Sequence, residues 1–451
     1  MNNLGGWIIN NVKGARTADG LAAGIPFAIW QRQWEVCDLS GDRARSRAIA
    51  GKMSELARRH PRYAVTDRLY HSKIHVYSGE YAKALELSEE ALLLSRQGEY
   101  DSRLPEIYGQ LSQSHQSLSN YEKALEYRAL AAELYRSQGD QISLGNSLAN
   151  SGLIYWKMGR FQEALSHLEQ ARKIFENNRD ERSMALVLTN TANVLLATDR
   201  EDEAMSYYQN AMEICGKIGD AAKQSSLFNN LGAIYYRRNN YQKAMENFER
   251  GLHLDKLLGN LPGQATKLGN MAVLTASMGQ YSKALEKFQS ALKLDKAIGN
   301  LDGQMKKLGN MASLYGLIGD FKSALDCAGE AITICRQIGS RGYLGHYLAI
   351  KVLYLIAVKD YDQAEQAGAE ALEVSGELGN ASQLVTVYGN LADLYYAQKE
   401  YSRARQYSQM AIELMGQQQL FEVYKENIYY AHARILKVQN EIEEYTKYLE
   451  L

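Results

Sequence analysis

The sequence predicts an all-α fold, a solenoid of antiparallel helix pairs with a 40-residue period, and three observations carry that expectation. An aromatic returns every 40 residues as Tyr81, Tyr121, Phe161, Tyr241, Tyr281, Phe321, Tyr361 and Tyr401, interrupted only by Glu201. Three residues later an alanine returns without exception, at Ala84, Ala124, Ala164, Ala204, Ala244, Ala284, Ala324, Ala364 and Ala404. Only 4 prolines occur in 451 residues, which suits long uninterrupted helices. A period this strict, free of insertions from 81 to 404, marks stacked repeats that each touch only their neighbours.

Taken in order, residues 1–20 match nothing later and read as a linker or frayed lead-in. Residues 21–60 form a divergent first helix pair, with Trp30 and Trp34 four apart on one face and Pro26 near the start, where a first turn tolerates it. Nine regular pairs follow over 61–419. In each, a first helix ends at a polar turn such as Gly279-Gln280 or Gly319-Asp320. The second helix begins near the aromatic and closes at a glycine such as Gly219, Gly259, Gly299, Gly339 or Gly379, a residue that takes positive φ without strain. Residues 420–451 supply C-terminal capping helices, the last one charged through Glu441, Glu443 and Glu444.

The recurring residue types follow from packing. With Leu231 as position seven of a repeat, position eight is small or modest throughout (Gly152, Ala192, Gly232, Ala272, Ala312, Ala392), which lets the second helix approach. Position twenty-seven is alanine or Gly251 in every regular repeat and marks a second crossing point, while Leu231, Tyr235 and Phe248 fill the gaps between. Leu231-Gly232, Tyr235, Ala244, Phe248 and Gly251 together resemble the tetratricopeptide repeat, whose standard unit is about 34 residues. The longer unit is similar to that of Leu-Gly-Asn repeat proteins of spindle orientation, kinesin light chains and bacterial peptide-sensing regulators. The resemblance covers about residues 25–440 and implies a right-handed superhelix with a concave groove that binds peptides.

Positions two, six, nine and thirteen fall within roughly 60° of one another on the first helix, on the side opposite the packing stripe. Position six holds Asn150, Asn190, Asn230, Asn270, Asn310 and Asn390. Asparagine is a poor helix-interior residue, so six copies in register call for a reason. One reading is a ladder of amides, each with donor and acceptor, that pairs with the backbone of an extended peptide; in the resembling families asparagine at this motif position contacts peptide. A second has each amide bonded to a neighbouring first helix, setting the pitch of the stack. The third is repeat duplication without a role. Asn193, Asn229, Lys157, Arg237, Lys306 and Tyr236 complete the expected peptide-binding set, with Tyr236 near the groove edge. The lysines and arginine make the groove mildly basic, favouring an acidic side chain or a free carboxylate in the ligand.

Composition excludes several classes. With 51 basic against 52 acidic residues and a net charge of −1, no nucleic-acid footprint is present. No segment approaches a membrane span or a signal peptide, and 4 cysteines without a Cys-x-x-Cys pair fit a reducing, cytoplasmic setting. His71 and His75 have metal-capable spacing, but Ser72 stands where a metalloprotease motif needs glutamate. No phosphate-cradling loop or nucleophile elbow appears, so no cofactor, metal or catalysis is expected. The sequence points to a non-catalytic peptide- or protein-binding scaffold. The alternative is the sensor portion of a larger signalling protein whose NTPase, cyclase, kinase or protease effector lies outside this chain. A phosphatase activity, as in some bacterial peptide-sensing relatives, is the third reading, and oligomeric state is left open.

Overall fold

Each 40-residue repeat becomes two helices because its turns are written into it twice. In the first turn, position fifteen adopts left-handed backbone in every described repeat: Ser119, Gly159, Asp199, Asn239, Gly279, Gly319, Lys359 and Lys399 have φ between 55° and 81°. In the second turn Gly139, Arg179, Gly219, Gly259, Gly299, Gly339 and Gly379 do the same. The residue that follows donates its N–H to the carbonyl five back, as Asn240 does to Tyr235 at 2.8 Å and Asn300 to Asp295 at 2.9 Å. That bond satisfies helix-end carbonyls and reverses the chain. Asparagine or aspartate then caps the next helix. Asp180 accepts from the Ser183 N–H and Asn380 from the Gln383 N–H.

The computed structural model describes residues 27–34, 37, 43–60, 63–77, 80–98, 101–418 and 421–441. The lead-in 1–20, Pro26, Pro61, Glu443 and Glu444 lie outside them. All regular structure among the described residues is helical, and the chain divides after Gly219 into two compact units. The first unit has a helical stretch at 27–34, then α1 (Arg43–Arg59), α2 (Ala64–Tyr77), α3 (Tyr81–Gln97), α4 (Leu104–Ser117), α5 (Tyr121–Gln138), α6 (Gln141–Lys157), α7 (Phe161–Asn177), α8 (Glu181–Leu196) and α9 (Glu201–Ile218). The second has α10 (Ala221–Arg237), α11 (Tyr241–Leu257), α12 (Leu261–Ser277), α13 (Tyr281–Ala297), α14 (Leu301–Leu317), α15 (Phe321–Ile338), α16 (Arg341–Ala357), α17 (Tyr361–Glu377), α18 (Ala381–Ala397), α19 (Tyr401–Gln417) and α20 (Phe421–Val438). Within each unit consecutive helices pack against one another, the arrangement of a helical solenoid.

The comb of small residues lies at the helix crossings. Every alanine of the Ala84-to-Ala404 series is fully buried. A Cβ on Gly232 would stand 2.6 Å from the Phe248 ring, and one on Gly152 2.9 Å from Leu168, so position eight is small because position twenty-four fills the space above it. At the start of the chain Trp34 is buried and stacks on Tyr70, with ring centroids 4.4 Å apart, in a core shared with Phe27, Met53 and Ile74.

Candidate functional site

Hydrogen bonds between successive first helices show which face each position takes. In the second unit Asn270 donates to the Asn229 carbonyl oxygen at 2.8 Å, Asn390 donates to the Ala349 backbone at 2.8 Å, and the Tyr236 and Ser277 hydroxyls meet at 2.9 Å. Gln383 donates to the Gly342 carbonyl at 2.7 Å, and Arg434 pairs with Asp393. Each of these pairs is 41 residues apart. Neighbouring first helices therefore run in a register one residue longer than the repeat. Position six faces position five of the helix before it.

That register explains a pattern not noticed in the sequence. Position five is small or polar (Gly109, Ala149, Thr189, Asn229, Gly269, Gly309, Ala349, Gly389) because the next first helix leans on it. A Cβ on Gly309 would lie 2.2 Å from Tyr347, one on Gly316 2.4 Å from Tyr354, and one on Gly389 2.6 Å from Ile428. Gly309 and Gly316 are seven apart, as are Tyr347 and Tyr354. Two tyrosines of α16 thus seat in two notches on one face of α14.

The six asparagines are consequently not equivalent. Asn270 and Asn390 use their amide N–H to tie first helices together. Asn190 is buried in α8. Asn150 is exposed, and its amide donates to its own helix at Asn146. Asn230 is half-buried, and among the described residues neither its amide nor that of Asn190 makes a side-chain hydrogen bond. Asn310 is exposed, and among the described residues its amide has no hydrogen-bond partner. It stands at a cleft of about 380 Å³ between α12 and α14, with Val273, Ala276, Tyr281, Phe288 and Leu317 also in its wall. Leu317 is 73% exposed, an apolar side chain held in solvent at the mouth.

The other expected site residues divide similarly. Asn193 accepts from the buried Tyr208 hydroxyl at 2.5 Å, and Asn229 is occupied by Asn270. Lys157 and Arg237 are exposed at the ends of α6 and α10. Lys306 bonds Asp302 at 2.7 Å, which raises its pKa, and lies 5.5 Å over the Tyr343 ring. Tyr236 stacks on Tyr241 besides bonding Ser277.

Three features were missed altogether. Asp255 is fully buried against Lys267 at 2.7 Å, and Asp295 against Lys307 at 2.9 Å. Asn260 and Asn300, the caps of α12 and α14, donate to these carboxylates at 2.8 and 2.7 Å. The nearly duplicated stretches 254–272 and 294–312 carried the signal. The third feature is Arg128, a buried arginine at position twenty-four, where Leu168, Tyr208, Phe248 and Phe288 stand elsewhere.

His71 lies 2.7 Å from the Ser54 hydroxyl and 3.6 Å from Asp67, and burial lowers its pKa. Ser54 donates to Asp67 at 2.6 Å, and Asp67 also holds Arg68, which ties the group into the packing of α1 and α2. His75 bonds Glu80 at 3.1 Å, and His115 is buried, stacked on Tyr127. Among the described residues no cluster of three or more His, Cys, Asp or Glu could hold a metal, and no helix is long and apolar enough to cross a membrane.

A family model described as tetratricopeptide repeat matches residues 103–177, 183–256, 263–337 and 349–417. Among solved structures, the fold is similar to a signal transduction ATPase with numerous domains that carries a tetratricopeptide repeat sensor, from Pyrococcus horikoshii. The two share 17% identity over 81% of this chain, with a TM-score of 0.56. The chain spans 55% of that protein's length. It is also similar to aspartyl phosphate phosphatase F from Bacillus subtilis, at 14% identity over 78% of this chain and 93% of that one, with a TM-score of 0.50. Comparison with curated proteins gives no match.

Proposed function

This chain belongs to the tetratricopeptide repeat family, and from that premise we propose that it is a non-catalytic scaffold binding an extended segment of a protein partner along its first helices. The cleft at Asn310 carries the reading. There an amide without an internal partner stands beside an apolar recess of about 380 Å³. An amide offering both donor and acceptor suits a peptide backbone, and a recess lined by Val273, Tyr281, Phe288 and Leu317 suits one apolar side chain of that peptide. Asn270 and Asn390 act as spacers, and Asn310 is the exposed, unbonded rung that borders the apolar cleft. The net charge of −1 supports a protein partner over nucleic acid. The four cysteines, three of them buried, support a reducing, cytoplasmic setting.

The test uses random octapeptides presented to the immobilised chain. Wild type retains a subset, and Asn310→Ala weakens retention of that subset by about tenfold, or ~1.4 kcal/mol, without moving the melting temperature. Unchanged retention in Asn310→Ala would sink the proposal.

A second reading is favoured by the Pyrococcus ATPase, whose repeat array is described as a sensor and of which this chain spans 55%. We propose that this array can serve as the sensing portion of a longer signalling protein. Sequencing the complete reading frame decides it, since a frame encoding no effector removes the reading. Against a phosphatase role, we expect a phosphorylated response regulator to keep its aspartyl phosphate lifetime when mixed with this chain. A shortened lifetime would reverse that.

A further inference from the structure

Charged side chains are buried in few places, and all but one are paired. Among the described residues the buried charged side chains are Asp67, Arg128, Asp255, Lys267 and Asp295. Asp67 holds Arg68 at 2.8 Å, Asp255 and Lys267 hold each other, and Asp295 holds Lys307. Arg128 has no acid. Its Nε is without a hydrogen-bond partner, and Nη2 reaches only the Gly109 carbonyl, at 3.4 Å. Burial pushes its pKa down to about 10, so it remains a cation at neutral pH. An unpaired buried charge costs several kcal/mol, and nothing in the repeat requires one here, since Leu168 and Tyr208 fill the same position in the two repeats that follow.

The guanidinium points toward the gap between first helices. It touches Gly109, where a Cβ would come within 3.5 Å of Nη1. Gly109 is position five of α4, the position that faces the next first helix. Asn150, exposed on α6, lies 41 residues beyond it, the same step that joins Asn229 to Asn270 and Ala349 to Asn390. The backbones of α4 and α6 also approach one another less closely than those of α2 and α4 or of α6 and α8.

We propose that Arg128 receives a carboxylate of the bound peptide, entering between α4 and α6 beside Gly109 and Asn150. The planar guanidinium matches one carboxylate in a two-bond fork, and a single cation balances a single negative charge. The carboxylate comes from an acidic side chain or from a chain terminus. This deepens the reading of the chain as a peptide-binding scaffold and rests on it.

Three octapeptide pools separate the cases: amidated peptides with one glutamate among neutral residues, glutamate- and aspartate-free peptides with a free C-terminus, and amidated neutral peptides. Wild type is expected to retain the first or second pool at least tenfold better than the third. A preference for the first identifies the side chain, and for the second the terminus. Arg128→Leu abolishes that preference and raises the melting temperature, because it removes a cation that the fold does not use, while Arg128→Lys keeps part of the preference. Equal retention of all three pools, a preference that survives in Arg128→Leu, or a lower melting temperature for that variant would each overturn the assignment. Equal retention leaves the peptide-binding reading standing. Retention of no pool overturns both.

Discussion

At the residue scale the most consequential atoms are the buried charges, because each changes its free energy sharply with its partner. Lys267 and Asp255 neutralise one another in a space where the preceding repeats of the stack place apolar or weakly polar residues, such as Phe175 with Val187. Removing one member strands the other. Lys267→Met is therefore expected to cost about 3–5 kcal/mol, read as a lowered urea midpoint, and Asp255→Leu in addition should restore at least half of it. A single variant within experimental error of wild type would show the pair to be solvated. His432 is the second case. It is buried against Ser408 at 2.7 Å, and burial, reinforced by Arg405 and opposed by Glu441, lowers its pKa to about 4. The unfolded histidine titrates near 6.5. Between those values the unfolded chain binds more protons, so stability is complete above about pH 6.5 and falls as pH drops toward 4, by at most about 3 kcal/mol. Amide exchange in α19 and α20 should accelerate over that window, and His432→Gln should flatten the dependence. A wild-type profile that is already flat contradicts it.

At the scale of the element, boundaries are set by short-range chemistry that repeats. The polar residue opening most first helices accepts from the N–H three residues on, and the left-handed residue ahead of it closes the preceding helix. Asn380→Ala removes the acceptor for Gln383 and should destabilise α18 by about 1 kcal/mol, seen as faster exchange in its first turn. No change there would mean that water replaces the cap at no cost. Glycine at the closing turns was legible as a stop signal. That Lys359, Lys399 and Arg179 would adopt the same conformation was not, since their residue type gives no hint of it and the bond pattern of the turn imposes it.

For the molecule as a whole, stability in a repeat array is a sum over repeats and their interfaces, and damage should stay local. Within the second unit, Lys267→Met is expected to raise amide exchange in α11 to α14 and leave α17 and α18 nearly unchanged. A uniform rise through all of its helices would reveal one cooperative block instead. The same locality explains why one array can carry an apolar cleft at Asn310 and an arginine at position twenty-four of another repeat. Neither disturbs the packing of repeats it does not touch.

Sequence alone determined the helix pairs, their period, the small residues at crossings and the family, because these depend on contacts that recur with every repeat and therefore print a period. It also marked position six as special. Which asparagines bond to a neighbouring first helix, and which of them borders a cleft, was decided only in three dimensions. First helices pack closely at Gly269, Gly309 and Gly389, and the same column of amides yields spacers at Asn270 and Asn390 and an exposed amide at the cleft beside Asn310. Arg128 was visible as an odd letter in a core column. Only tertiary structure showed that no acid comes to meet it, since the absence of a counter-charge is a property of everything packed around a residue.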